Sequence, residues 1–365
     1  MEKQVTALPT LIDVVKGYSE FGHHRTGSDV DVNTVEWLVR LLAGIGASIE
    51  TPEFDYQHFE WEVDGAARFG LEILPLYYSF HGAHRVESVL VSAVNGHASE
   101  EVIGKEIQAA ATSAAKQGCD GVILGTDCPT QEICAINRPI FDGYEVPVFL
   151  VSPKHANRIA FQEIDIECFA NLRPRKARNI VARFPVVTGA PTLIVTTPFS
   201  GWFNCAGERG TGVAIALAAA HQISKKINVE LLFASGHELG FAGGFALEAS
   251  YRGSADAILH IGSCIANFDA SFDVNCSADF DQAACANDHL KTIGLVAQNP
   301  DDPETITRWS GESECWANCG LPMLSIAGIA PNFHTASDLP DKSVDAKMLE
   351  RSCDAIAKAA MAMTM

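Results

Sequence analysis

The chain has 365 residues, 47% of them apolar and 19% charged, with a formal net charge of −19 at neutral pH. That composition excludes a disordered chain, and the acidic balance excludes a nucleic-acid binder, which needs a basic face to neutralise phosphates. No run of eighteen or more apolar residues is present, so no membrane span is expected.

The length predicts one large domain carrying an insert, or two domains. The opening MEKQVTALPTLIDVVKGYSEF reads as an amphipathic helix and lacks the features of a signal peptide. Eleven cysteines are scattered, with no Cys-x-x-Cys pair, which points to reduced, buried thiols and a cytoplasmic protein. Cys315 and Cys319, which flank Trp316, are read as core thiols. Up to about residue 57, Val35, Leu38, Val39 and Leu42 recur at helical spacing, and Gly44 and Gly46 mark the helix stop.

From 58 to 176, short strands (SVLVSAV, DGVILGT, VPVFLVS) alternate with the helix IQAAATSAAKQG, a pattern that predicts a smaller α/β unit. RPRKAR (Arg173 to Arg178) reads as a solvated linker leading out of it. From 177 onward the apolar runs PTLIVTT, VELLFAS, DAILHIG and PMLSIAG alternate with helices: an Ala-rich one from Gly210, one from about Leu239, and a closing one over 343–363. Buried strands alternating with helices predict an α/β fold with a doubly wound, mainly parallel sheet. The domains then divide as 1–57 with 177–365, and 58–176.

Such sheets bind ligands at the carboxyl ends of their strands. Five side chains fall there: Glu208 after PTLIVTT, His237 and Glu238 after VELLFAS, His260 ending DAILH, and His334 in NFHTASD after PMLSIAG. Any one alone is more often a structural residue; five on one edge point to a shared site. Carboxylates mixed with imidazoles suit Mn, Zn, Fe or Co. A metal with an open position makes bound water acidic, and a neighbouring base takes its proton.

The motifs HHRTGSDVDVNTVEWLVRLLAGIGASIETPEF, AGERGTGVAIALAAA, FASGHELGFAGG, CGLPMLSIAG and NFHTASDLPD together resemble the co-catalytic zinc aminopeptidases, the superfamily of bacterial leucyl aminopeptidase, glutamate carboxypeptidase II and the transferrin receptor. The resemblance implies that 58–176 is a protease-associated-like insert. It implies that Glu208, Glu238 and His334 hold one metal, with Glu208 standing for the usual bridging Asp. The second metal position lacks its His-x-Asp in TTPFSGW and has His260 for an Asp. The family's general base matches His237. One divalent metal per chain, Mn or Zn foremost, is therefore expected.

His237 is then the general base or a hydrogen-bond partner behind the metal. His260 is a fourth ligand, a transition-state donor or a structural residue. Arg209 presents a fork to a substrate carboxylate, or turns to solvent or pairs with a nearby acid. Phe199, Trp202 and Phe203 pack, or line a pocket for a flat ring. These features favour a metal-dependent hydrolase cleaving a C–N bond of a small anionic, aromatic compound: an amide, or an aryl amine as in nitroanthranilate aminohydrolase. A metallo-aminopeptidase completed by His23 or His24, and a non-catalytic binding module, are the alternatives. A homo-oligomer with no nucleic-acid or membrane partner is expected.

Overall fold

The computed structural model describes residues 8–159, 164–300, 302 and 309–364. The first seven residues of the expected amphipathic opening lie outside them, and its remainder forms the helix Leu11–Ser19. The architecture is mixed α/β. Its main sheet has seven strands in the spatial order Ser48–Glu50, Ile180–Arg183, Asn228–Ala234, Thr192–Pro198, Ala257–Ile261, Met323–Ile329, Ser271–Ser277.

The four strands around the centre run parallel, whereas both flanks are antiparallel. The mainly parallel expectation therefore holds for the centre only. The parallel strands are mostly apolar because both faces are covered, with Glu230 and His260 among the polar exceptions. Leu193 and Val195 point into the larger core beneath the helices Leu11–Ser19, Thr211–Ile223 and Ala346–Ala362, while Ile194 points into a smaller cluster with Leu247 and Trp316. The Ala-rich helix Thr211–Ile223 is buried almost all round, which its small side chains permit. Ser28 caps the helix Asp29–Gly44 by accepting from the backbone of Asp31.

A second hydrophobic cluster draws on residues from Phe59 to Ala170 and on Trp202. It underlies an antiparallel sheet (Glu53–Asp64, Ile166–Arg178, Gly82–Val86) and a four-stranded sheet (Leu74–Pro75, Val148–Val151, Gly121–Asp127, Val89–Asn95) backed by the helix Glu100–Gln117. RPRKAR is not a linker: it is the end of the strand Ile166–Arg178, where Arg173 and Arg175 pair with Glu60 and Lys176 with Glu53. Its charges sit on an exposed edge, which masks the strand pattern in the sequence.

The helix expected from Leu239 begins at Ala242, because His237–Leu239 first makes a tight turn closed by Gly240 in the left-handed region. Gly243 then passes so close to the preceding strand that a Cβ there would run into the carbonyl oxygen of Ser235. Gly243→Ala is expected to cost about 3 kcal/mol of stability, as overpacking against backbone does; urea unfolding measures it. All eleven cysteines are free thiols.

Candidate active site

At the carboxyl ends of the parallel strands the backbone is strained: Cys205, Phe241, Cys264 and His334 all have positive φ. Non-glycine residues held in this region cluster at functional sites. A cavity of about 390 Å³ opens there. Its polar wall carries Arg209, His237, His260, Glu312 and His334, and its apolar wall includes Phe241, Phe272 and Phe333. Residues of the middle segment contribute to the lining, including His97, Glu100 and Ala135 to Asn137.

The turn that carries Glu208 is shaped by the loop that follows the strand Met323–Ile329. The carboxylate of Asp338, last residue of HTASD, accepts from the backbone N–H groups of Gly207 (2.8 Å) and Glu208 (2.9 Å). Burial pushes Asp338 up to about 6. Glu208 is buried below the cavity wall, with Oε1 2.8 Å from Arg209 Nη2 and 3.2 Å from His334 Nε2. Neither approach has hydrogen-bond direction. Burial opposes the charge of Glu208, but the His334 and Arg209 charges outweigh it and hold the carboxyl below its ordinary value.

His334 is fixed at its other nitrogen: Nδ1 lies 2.9 Å from the carbonyl of Ala135, and the amide of Ala135 donates to the carbonyl of His334 at 2.9 Å. A sequence segment some two hundred residues away thus orients this imidazole.

His237 pairs through Nδ1 with Glu312 Oε2 at 3.2 Å. Burial pushes His237 well below its ordinary value, and the Arg209 charge adds to this. Burial also raises Glu312 to about 8, moderated by Arg209. His260 is buried with Nδ1 unpartnered, and burial beside Arg209 lowers it to about 3. It is a neutral imidazole on the cavity wall, whichever of its expected roles it plays.

Glu238 is placed elsewhere. Its Oε1 accepts from the backbone N–H of Thr26 at 2.7 Å and its Oε2 from the hydroxyl of Ser200 at 2.8 Å. The same hydroxyl accepts from the N–H of His237 at 3.0 Å. Glu238 therefore ties the His237 turn to the HHRTGSD segment and does not line the cavity. The expected ligand set of Glu208, Glu238 and His334 does not converge. Among the described residues, no three His, Cys, Asp or Glu side chains are grouped so as to hold a metal ion. The physical reason is that Glu238 spends both oxygens on backbone and hydroxyl donors while Arg209 occupies Glu208. These residues, so arranged, do not fit a divalent ion.

The alternative ligands do not line the cavity, although His23 Nε2 is buried without a partner. His24 stacks on Tyr18 at 3.8 Å and meets its carbonyl at 3.0 Å, and His23 stacks on Phe203 at 5.2 Å. Phe199 and Trp202 are packed in the two cores, with Trp202 Nε1 donating to Asn137 Oδ1 at 2.8 Å. None of the three aromatics lines the cavity. Arg209 does; it is fully buried rather than turned to solvent, and it pairs with a nearby acid, Glu208.

Sequence reasoning missed Glu312 and Asp338. Glu312 sits in the short turn Gly311–Trp316, outside any periodic pattern, and only its burial beside an imidazole marks it. Asp338 was visible within HTASD, but its capping role depends on the strand order.

In its fold the chain is similar to a peptidase M28 precursor from Shewanella amazonensis (TM-score 0.74, 18% identity, covering 100% of this chain and 94% of that one). It is also similar to BSAP, a zinc aminopeptidase from Bacillus subtilis (TM-score 0.70, 12% identity, 97% and 95% covered). A glutaminyl cyclase from Porphyromonas gingivalis shares the fold more distantly (TM-score 0.54, 11% identity, 98% of each chain). No family model and no curated protein matches the sequence. Identities this low establish the fold, and the names span hydrolysis and cyclisation, so the fold alone leaves the reaction open.

Proposed function

We propose that this chain is a hydrolase that cleaves a C–N bond of a small anionic compound held in the cavity. The observation that carries the reading is the His237–Glu312 pair on the wall of a cavity that also presents Arg209. An imidazole backed by a carboxylate is the arrangement of an oriented general base. A buried guanidinium receives a carboxylate through parallel N–H donors. The phenyl walls from Phe272 and Phe333 suit a flat ring, and the volume suits a small molecule rather than a folded polypeptide. The neighbours' names, which are mostly those of exopeptidases, favour C–N chemistry in this fold. The segment 58–176 is proposed as a unit of its own that forms the rim, since its loop at Ala135 holds His334.

With Glu312 up at about 8, the pair at neutral pH carries a proton between carboxyl and Nδ1, leaving Nε2 protonated toward the cavity. Loss of that proton gives a carboxylate facing Nδ1–H and a free lone pair on Nε2, the form that can take a proton from water. Activity is therefore expected to rise with pH through about 8. Glu312→Gln is expected to lower activity and flatten that rise, read from kcat/KM against pH. Stability should move in the opposite sense. A carboxyl raised by folding contributes stability that is full below its ordinary range and lost as pH rises through about 8. The Glu312→Gln protein should therefore lose less stability than the wild type over that span. A rate that falls with pH, or a bell-shaped profile peaking below neutrality, would exclude the pair as base.

The substrate class is tested by amine release from carboxylate-bearing amides and aryl amines beside aminoacyl nitroanilides. Turnover of the first group is expected; turnover of the nitroanilides alone would replace this reading by an aminopeptidase. That second reading, an exopeptidase, is supported by the names of the structural neighbours.

A further inference from the structure

Arg209 has the surroundings of an internal cation. Its side chain is 1% exposed, yet it reaches the cavity wall. Nε donates to the carbonyl of Ser200 at 3.1 Å, which fixes the plane of the guanidinium. Nη2 lies 2.8 Å from Glu208 Oε1 but makes no directed hydrogen bond. Glu208 is one of the two carboxylates a divalent ion would need, and Thr26 and Ser200 hold the other, Glu238. An ion seated between Glu208 and His334 would share Glu208 with a guanidinium already in contact with it. Like charges about 4 Å apart repel by about 4 kcal/mol per pair of unit charges even at an effective dielectric near 20. The uncharged alternatives nearby, His237 and His260, do not offset that repulsion.

We propose that the Arg209 guanidinium is the resident cation of this site in place of a divalent metal, and that it receives the carboxylate of the ligand. A guanidinium offers several N–H donors in one plane, so it can hold Glu208 on one edge and a second planar anion on another. It cannot supply an open coordination position, so the proton chemistry falls to the imidazoles around it. The proposal rests on the surroundings of Arg209 and not on the hydrolytic reading: inertness toward every amide would leave it standing, and turnover would not establish it.

The test is elemental mass spectrometry of the full chain, purified without chelator and again after incubation with excess zinc or manganese and desalting. Metal in this site is the amount the wild type holds and His334→Ala does not. Less than half an ion per chain is expected, together with a thermal midpoint indifferent to chelator; half or more would overturn the proposal. The anion half is tested by calorimetric titration with benzoate. The wild type is expected to bind it and Arg209→Met to weaken it by at least about tenfold, the loss of a charge-assisted contact. Arg209→Lys, which keeps the charge but not the fork, should fall between and serves where the Met variant does not fold. No benzoate binding to the wild type, or equal affinity in a folded variant, would overturn that half.

Discussion

Replacing His237 with alanine is expected to lower kcat by roughly 10²–10⁴-fold, the range of a lost general base. The substitution removes the imidazole whose Nδ1 faces Glu312 at 3.2 Å and which lies tilted against the Phe241 ring at 4.8 Å. It leaves the backbone N–H of residue 237 on the Ser200 hydroxyl, so the turn itself should persist. Glu312 would then be buried without its partner, and His237→Ala with Glu312→Gln is the control that separates this effect from chemistry. If the pair acts as one unit, the double variant should be no slower than His237→Ala alone. Unchanged turnover in His237→Ala would reduce the imidazole to a packing group.

Glu238→Gln is expected to act on stability first. As a metal ligand, Glu238 would have answered to loss of metal; in the structure it anchors two segments far apart in sequence. The substitution keeps one acceptor oxygen and turns an NH₂ toward either the Thr26 N–H or the Ser200 hydroxyl, each of which now meets an acceptor at 2.7 Å and 2.8 Å. A buried donor left without its acceptor costs about 1–3 kcal/mol, and the charge on the lost acceptor places this case at the upper end. The midpoint of urea unfolding should fall accordingly. Activity should fall as well, because the Ser200 hydroxyl bridges Glu238 to the His237 backbone. Undiminished stability would return Glu238 to the role that the family resemblance implies.

Much of the site was legible in the chain because strand ends are legible. An apolar run followed by a polar residue and a helix places that residue at the carboxyl edge, and Arg209, His237, His260 and His334 do line the cavity there. What could not be read was where each side chain turns. Glu208 and Glu238 sit at the same edge but lie beneath the cavity wall, and spacing does not distinguish a carboxylate facing a cavity from one facing backbone amides.

The sequence by itself determined the alternation of buried strands and helices, the edge on which polar residues gather, and a middle segment with its own apolar positions. These depend on periodicity and turn residues, which act over a few positions. The tertiary structure alone decided the partners: Asp338 beneath Glu208, Ala135 behind His334, Glu312 behind His237, and Thr26 with Ser200 around Glu238. Most of these contacts join residues tens to hundreds of positions apart, and every donor or acceptor so engaged is withdrawn from other chemistry. Whether a carboxylate is a ligand or a brace is thus settled by which buried donors the fold brings to it, since an unpaired buried polar group costs more than any local preference supplies.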